Sequence, residues 1–181
     1  MIYLKSEVIA NKEGLASVSI QRLSRELGVK APSLYNHVSG LKEIKKALSI
    51  RALSELKNMV DSSIKIESEN IKIFVRSYRL FSIEKTGLYE SLINIDHDDD
   101  DLMELVLEGL ESISILLGVS KLPNDTRVHA IRIFRSMLNG YIELERSDGF
   151  KLGVPAEETL EVMIDSMESV LSNIINLSKG G

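Results

Sequence analysis

The sequence predicts an all-α protein: a small three-helix head of helix-turn-helix type, followed by a larger helical body. Three observations carry this. Apolar residues recur at three- and four-residue spacing along most of the 181 residues. Alternating β-branched runs are scarce. The only prolines, at 32, 123 and 155, fall where helices are expected to begin or break. Helices are expected near 2–12, 19–27, 31–37, 41–62, 67–85, 88–94, 100–117, 124–146 and 156–177. Gly87, Gly118 and the stretch from Gly149 to Pro155 act as breaks.

The stretch from Ser19 to Val38 is the most informative. Ser19 is a natural N-cap, and Ile20, Leu23 and Leu27 form one apolar stripe on the helix that follows. Gly28 comes where that helix must end and the chain must take a positive φ. Val29 is expected to pin the turn onto the core. Pro32 suits the first turn of the next helix, in which Leu34 and Val38 point inward. Ser33, Tyr35, Asn36 and His37 are left outward. That set is rich in groups suited to phosphates and base edges and poor in the Glu/Lys mixture of an ordinary solvated face.

Charge distribution agrees with a reading head. Residues 1–60 carry ten Lys or Arg against five Asp or Glu, a net of +5, within a chain whose overall net charge is −5. A basic head on an acidic body localises any nucleic-acid binding to the head.

The run Leu27-Gly-Val-Lys-Ala-Pro-Ser-Leu-Tyr-Asn-His-Val38, followed by Leu41-Lys-Glu-Ile44, resembles the tetracycline-repressor (TetR) family of one-component bacterial transcription regulators. So does Glu13-Gly-Leu15 leading into Ser19. The segment from Arg132 to Tyr141, continuing through Leu144 to Phe150, is similar to the C-terminal domain of one branch of that family. The family often carries a basic arm ahead of its first helix; here that helix is expected from residue 2, so arm contacts in the minor groove are not expected. Lys5 and Ser6 replace small residues usual in that helix. Leu41 stands where a lysine is common, which leaves Lys42 as the candidate phosphate contact.

On this resemblance, residues 1–46 form the DNA-binding domain, the fourth helix at 41–62 is the linker, and residues 47–181 form a regulatory and dimerisation domain. Ser19, His37 and Lys42 are expected to hold phosphates. Gln21 or Arg22, with Ser33, Tyr35 and Asn36, are expected to approach base edges, and Lys30 to do either. The implied partner is a pseudo-palindromic double-stranded operator, since a two-fold dimer reads half-sites about one helical turn or a multiple apart, ~34 Å. The last two helices have apolar faces broader than one core requires. Examples are Ile131, Phe134, Leu138 and Tyr141 on the first, and Ile164, Met167 and Leu171 on the second. The resemblance assigns them to a homodimer interface.

The resemblance also implies a cavity for a small lipophilic effector among the middle helices. Its candidate lining is Met59, Phe74, Tyr78, Leu92, Met103, Leu107, Phe134, Met137 and Tyr141, each of which also suits plain core. Arg76, Arg79, His129 and Arg135 are candidates to orient a polar ligand. The acidic run Asp96-His-Asp-Asp-Asp-Asp101 fails as a calcium loop, with Asp101 in place of the glycine and Leu107 in place of the final glutamate. It reads instead as capping for the helix that follows.

No catalytic constellation, cofactor motif or metal-ligand spacing is present in the sequence. The chain has no cysteine and no apolar run of the ~18–20 residues a membrane helix needs, so a cytoplasmic, non-enzymatic regulator is expected. The rival reading is a helical ligand-binding or interaction module whose head no longer reads DNA.

Overall fold

The computed structural model describes residues 1–66 and 69–179. Among them the chain forms helices α1 (Ile2–Glu13), α2 (Ile20–Leu27), α3 (Ala31–Leu34), α4 (Leu41–Ile64), α5 (Asn70–Glu84), α6 (Thr86–Ile93), α7 (Asp100–Leu116), α8 (Asn124–Arg146) and α9 (Ala156–Lys179). A single 3₁₀ turn, Leu15–Ser17, links α1 to α2. No strand occurs among the described residues, as the proline placement and the helical spacing require. The expected start of the fifth helix at 67 lies outside the described residues.

Two compact units form, one from Met1–Lys57 with Leu80–Glu108, the other from Asn58–Arg79 with Gly109–Gly181. The expected DNA-binding segment, residues 1–46, lies within the first unit, in which α6 packs onto α1. Gly87, expected as a break, is a buried residue inside α6. A Cβ there would lie on the Ala10 backbone and side chain, 2.5 Å from the Ala10 carbonyl oxygen, where real Cβ atoms essentially never come within 3.0 Å. Glycine is needed here for close approach, not for a positive φ. The break falls instead at Lys85, one residue before α6.

Polar bonds fix this contact. The Asn11 side-chain oxygen accepts the N–H groups of Gly87 (3.1 Å) and Leu88 (3.2 Å), two of the donors that the start of a helix leaves free. Leu15 N–H donates to Glu90 Oε2 at 2.7 Å. Nearby, buried Ser49 on α4 donates to the Ser91 carbonyl on α6. The apolar core of this unit includes Ile9, Ala10, Leu23, Leu34, Ile44, Leu48, Leu88 and Tyr89.

The second unit is built around α8 and α9. Phe134, Leu138, Tyr141 and Ile142 of α8, and Leu160, Ile164, Met167 and Leu171 of α9, are buried. Phe74 of α5 stacks on Tyr78, with ring centroids 5.7 Å apart, and tilts against Phe134 at 6.0 Å. Arg79 closes the same unit by bonding Glu145 through Nε at 2.8 Å and through a second nitrogen. Such a bidentate pair fixes both position and angle.

Candidate nucleic-acid interface

The reading head is assembled by local sequence signals. Ser19 takes the extended conformation of an N-cap (φ −147°), and its hydroxyl accepts the Arg22 N–H at 3.2 Å. Ile20 and Leu23 bury one face of α2. Gly28 takes φ 66° and ψ 28°, in the left-handed region, so that its own N–H and that of Val29 return to the Arg25 and Ser24 carbonyls. Lys30 then leads into α3, with Pro32 in its first turn. The regular part of α3 ends at Leu34, three residues before the expected end. There the N–H groups of both His37 and Val38 converge on the Leu34 carbonyl, tightening the last turn.

One expectation for this stretch is corrected. Val29 does not pin the turn; it is 41% exposed, and the anchors are Leu34 and Val38, at 2% and 3%. Arg22 is one-third exposed and ion-paired. Its guanidinium lies 2.7 Å from Glu13 and 3.2 Å from Glu26, which ties α2 to the end of α1. Glu26 is also held by Lys5 at 3.1 Å.

The remaining residues of the expected interface stand outward. Gln21, Lys30, Ser33, Tyr35, Asn36 and His37 are all exposed, Tyr35 at 57%. Gln21 and Lys30 project from the two ends of the α2–turn segment, and the other four from α3 and its closing turn. Their neighbours Leu34 and Val38 are buried, so the backbone that carries them is fixed while the side chains stay free. Ser19 is half-buried, its oxygen already accepting from Arg22 and its O–H still able to donate.

The start of α4 forms the edge of this surface. Glu43 reaches back to accept the backbone N–H of Ser39 (2.7 Å) and its hydroxyl (2.9 Å), and also accepts from the Tyr3 hydroxyl. These donors, the Ser39 N–H first, hold the Glu43 carboxyl below the usual range. Lys42 is exposed, with its Nζ 3.0 Å from Asp96 Oδ2. Lys46, one turn on, lies between Asp99 (2.8 Å) and Asp101 (2.6 Å). Asp99 also caps α7 by accepting the Leu102 N–H at 3.2 Å. The acidic run thus caps a helix, as expected, and also pairs with lysines of α4. Nothing in the spacing of the two segments signalled that pairing. The Glu43 cap did have a signal, namely Ser39 four residues before an acid at a helix start.

The expected effector residues divide between the two units. Met59, Phe74, Tyr78, Phe134, Met137 and Tyr141 belong to the second; Leu92, Met103 and Leu107 belong to the first. Phe74, Tyr78 and Phe134 form the aromatic cluster described above. The Tyr141 hydroxyl is committed to the Ala156 carbonyl at 2.8 Å. Leu107 is corrected as lining: it is 61% exposed. It stands five residues, about 140° of helix rotation, from buried Leu102. Arg76 and Arg79 are engaged by Glu157, Glu161 and Glu145, whereas His129 and Arg135 are exposed on α8.

Comparison with known proteins agrees with this architecture. The family described as "Tetracyclin repressor-like, C-terminal domain" matches residues 71–167. The uncharacterized HTH-type transcriptional regulator YobS of Bacillus subtilis is 31% identical over 179 residues, covering 97% of this chain and 91% of its own. Among solved structures, TetR from Acinetobacter baumannii is similar with a TM-score of 0.66 at 15% identity, covering 98% of this chain and 96% of that one. A variant of that protein has been crystallised in complex with minocycline. The regulator PfmR from Thermus thermophilus gives a TM-score of 0.65 at 20% identity, with 93% and 97% covered. With the family matched from 71 to 167 and a relative aligned along nearly its whole length, the chain belongs to the tetracycline-repressor (TetR) family of helix-turn-helix transcriptional regulators.

Proposed function

We propose that this regulator is a homodimeric repressor that binds a pseudo-palindromic operator through residues 1–46 and leaves it when a small lipophilic effector binds the body. The observation that carries the DNA reading is the contrast along one short segment. Leu34 and Val38 are buried, while Lys30, Ser33, Tyr35, Asn36 and His37 between and before them are exposed. A rigid backbone presenting free polar and aromatic side chains is what major-groove recognition needs. Ser33, Tyr35, Asn36 and Gln21 approach base edges, Ser19, His37 and Lys42 hold phosphates, and Lys30 serves either. Arg22 also ties α2 to Glu13 at the end of α1.

Dimerisation through α8 and α9 is supported by apolar surface remaining on these helices after the core is formed. Ile133, Leu144 and Val162 are 41%, 51% and 66% exposed. A shallow apolar groove lined by Ile133, Phe134, Met137, Met167 and Val170 runs between the two helices. The effector acts through α4, whose residues belong to both units. It releases DNA only insofar as it binds the non-DNA conformation more tightly.

The test is a gel shift on the DNA upstream of the protein's own gene, across a salt series. The expected result is binding that falls steeply with salt and weakens on Tyr35→Ala. Absence of a shift at low salt would instead favour a ligand-binding module whose head has ceased to read DNA.

A further inference from the structure

The acidic segment between α6 and α7 does more than cap α7. Asn94, Asp96, Asp99 and Leu102 line a cleft of about 280 Å³ whose other wall is the start of α4. Two ion pairs of different character cross it. Lys46 and Asp99 are largely covered, with side-chain exposures of 27% and 13%, and Asp101 adds a second carboxylate to the same ammonium. Lys42 and Asp96 are 77% and 40% exposed. The first pair anchors the segment; the second sits open to solvent at the edge of the reading head.

Asp96 is oriented for this contact. Its Oδ1 accepts the Asp98 N–H at 3.2 Å, which leaves Oδ2 for the Lys42 ammonium at 3.0 Å. A phosphate oxygen binds an ammonium at the same distance and with the same chemistry, since each is an anionic oxygen accepting a charge-assisted bond. Glu43 offers no alternative partner for Lys42, because its oxygens serve Ser39 and Tyr3.

We propose that Asp96 is an internal phosphate mimic. Its carboxylate holds Lys42 in the free protein, and DNA binding exchanges that carboxylate for a backbone phosphate. The inference rests on the reading of Lys42 as a phosphate contact. An exposed pair is weak enough to exchange and strong enough to tune affinity. By reciprocity, any rearrangement that draws the segment containing Asp96 away from α4 tightens the grip on DNA, and DNA favours that rearrangement equally.

The test uses the full chain and a mixed-sequence DNA duplex at low salt, read by fluorescence anisotropy, because phosphate contacts do not depend on sequence. Asp96→Asn is expected to tighten binding about threefold per subunit, the scale of one exposed ion pair. Asp98→Asn removes the same charge two residues away, and no ion pair with Lys42 is formed by that side chain; its effect should be smaller. In a Lys42→Ala background the gain from Asp96→Asn should vanish. No gain from Asp96→Asn overturns the inference. So does an equal gain from Asp98→Asn, or a gain that survives Lys42→Ala, since either reduces the effect to net charge. Absence of binding by the wild type and all variants would remove the DNA reading itself, and the inference with it.

Discussion

Replacing Gly87 with alanine adds one methyl group to the first turn of α6, and ordinary helix energetics predict a gain. Alanine is favoured over glycine inside a helix by ~1 kcal/mol. At this position the sign should reverse. The added carbon would fall on the Ala10 backbone, 2.5 Å from its carbonyl oxygen, and backbone cannot swing aside as a long side chain can. Moving α6 away from α1 would relieve the clash. It would also stretch the Asn11 bonds to Gly87 and Leu88 and the Leu15–Glu90 bond. Overpacking of this kind costs roughly 1–3 kcal/mol, occasionally more, and the lost bonds add to it. After subtracting the helix-propensity gain, a net loss of about 2 kcal/mol remains, or about 4–8 °C in thermal midpoint for a chain of this size. Chemical and thermal denaturation followed by circular dichroism would measure it. Gly109→Ala is the internal control: it lies inside α7 with nothing within 4 Å of an added Cβ, and should stabilise by about 0.5–1 kcal/mol. If Gly87→Ala proved as stable as the wild type, the close α1–α6 approach would be refuted.

Further outcomes follow from the same geometry. Ser19→Ala removes the acceptor of the Arg22 N–H and should cost about 1 kcal/mol in denaturant unfolding, with Ser19→Asp retaining most of it; an unchanged midpoint for Ser19→Ala would contradict the cap. Glu43, Glu26, Asp96 and Asp99 are held below the usual carboxylate range by the Ser39 N–H, Lys5, Lys42 and Lys46 respectively. Each binds a proton less readily folded than unfolded. Their contribution is therefore complete above the unfolded value of about 4 and is lost as pH falls through the lower folded values. Stability measured against pH should decline below about pH 4, and a rise there would contradict these pairings.

The sequence carried the helices well because their signals are local. Ser19, Gly28 and Pro32 each act on backbone within a turn of themselves, and α8 was readable to its ends from Pro123 to Arg146. The exposed face of α3 was likewise legible from which residues were left over once Leu34 and Val38 turned inward. What was not legible depends on which segments meet. Gly87 has the same local signature whether it breaks a helix or lets two helices touch, and only Ala10 opposite it decides. The Arg22–Glu13 pair joins positions nine residues apart on different helices. The Lys42–Asp96 pair joins positions 54 residues apart, beyond any local pattern. Val29 differs for a related reason: an apolar residue after a turn is expected inward, but here it is exposed while Leu34 and Val38 are the buried residues.

Selection of binding duplexes from a random pool by the full chain tests the central claim most directly, because it asks whether the head reads sequence at all. The account predicts enrichment of a pseudo-palindromic site whose half-sites are centred about 34 Å or a multiple apart, with enrichment weakened at specific positions by Tyr35→Ala or Asn36→Ala. A pool that emerges with no preferred sequence, or enrichment unaffected by both substitutions, would contradict it.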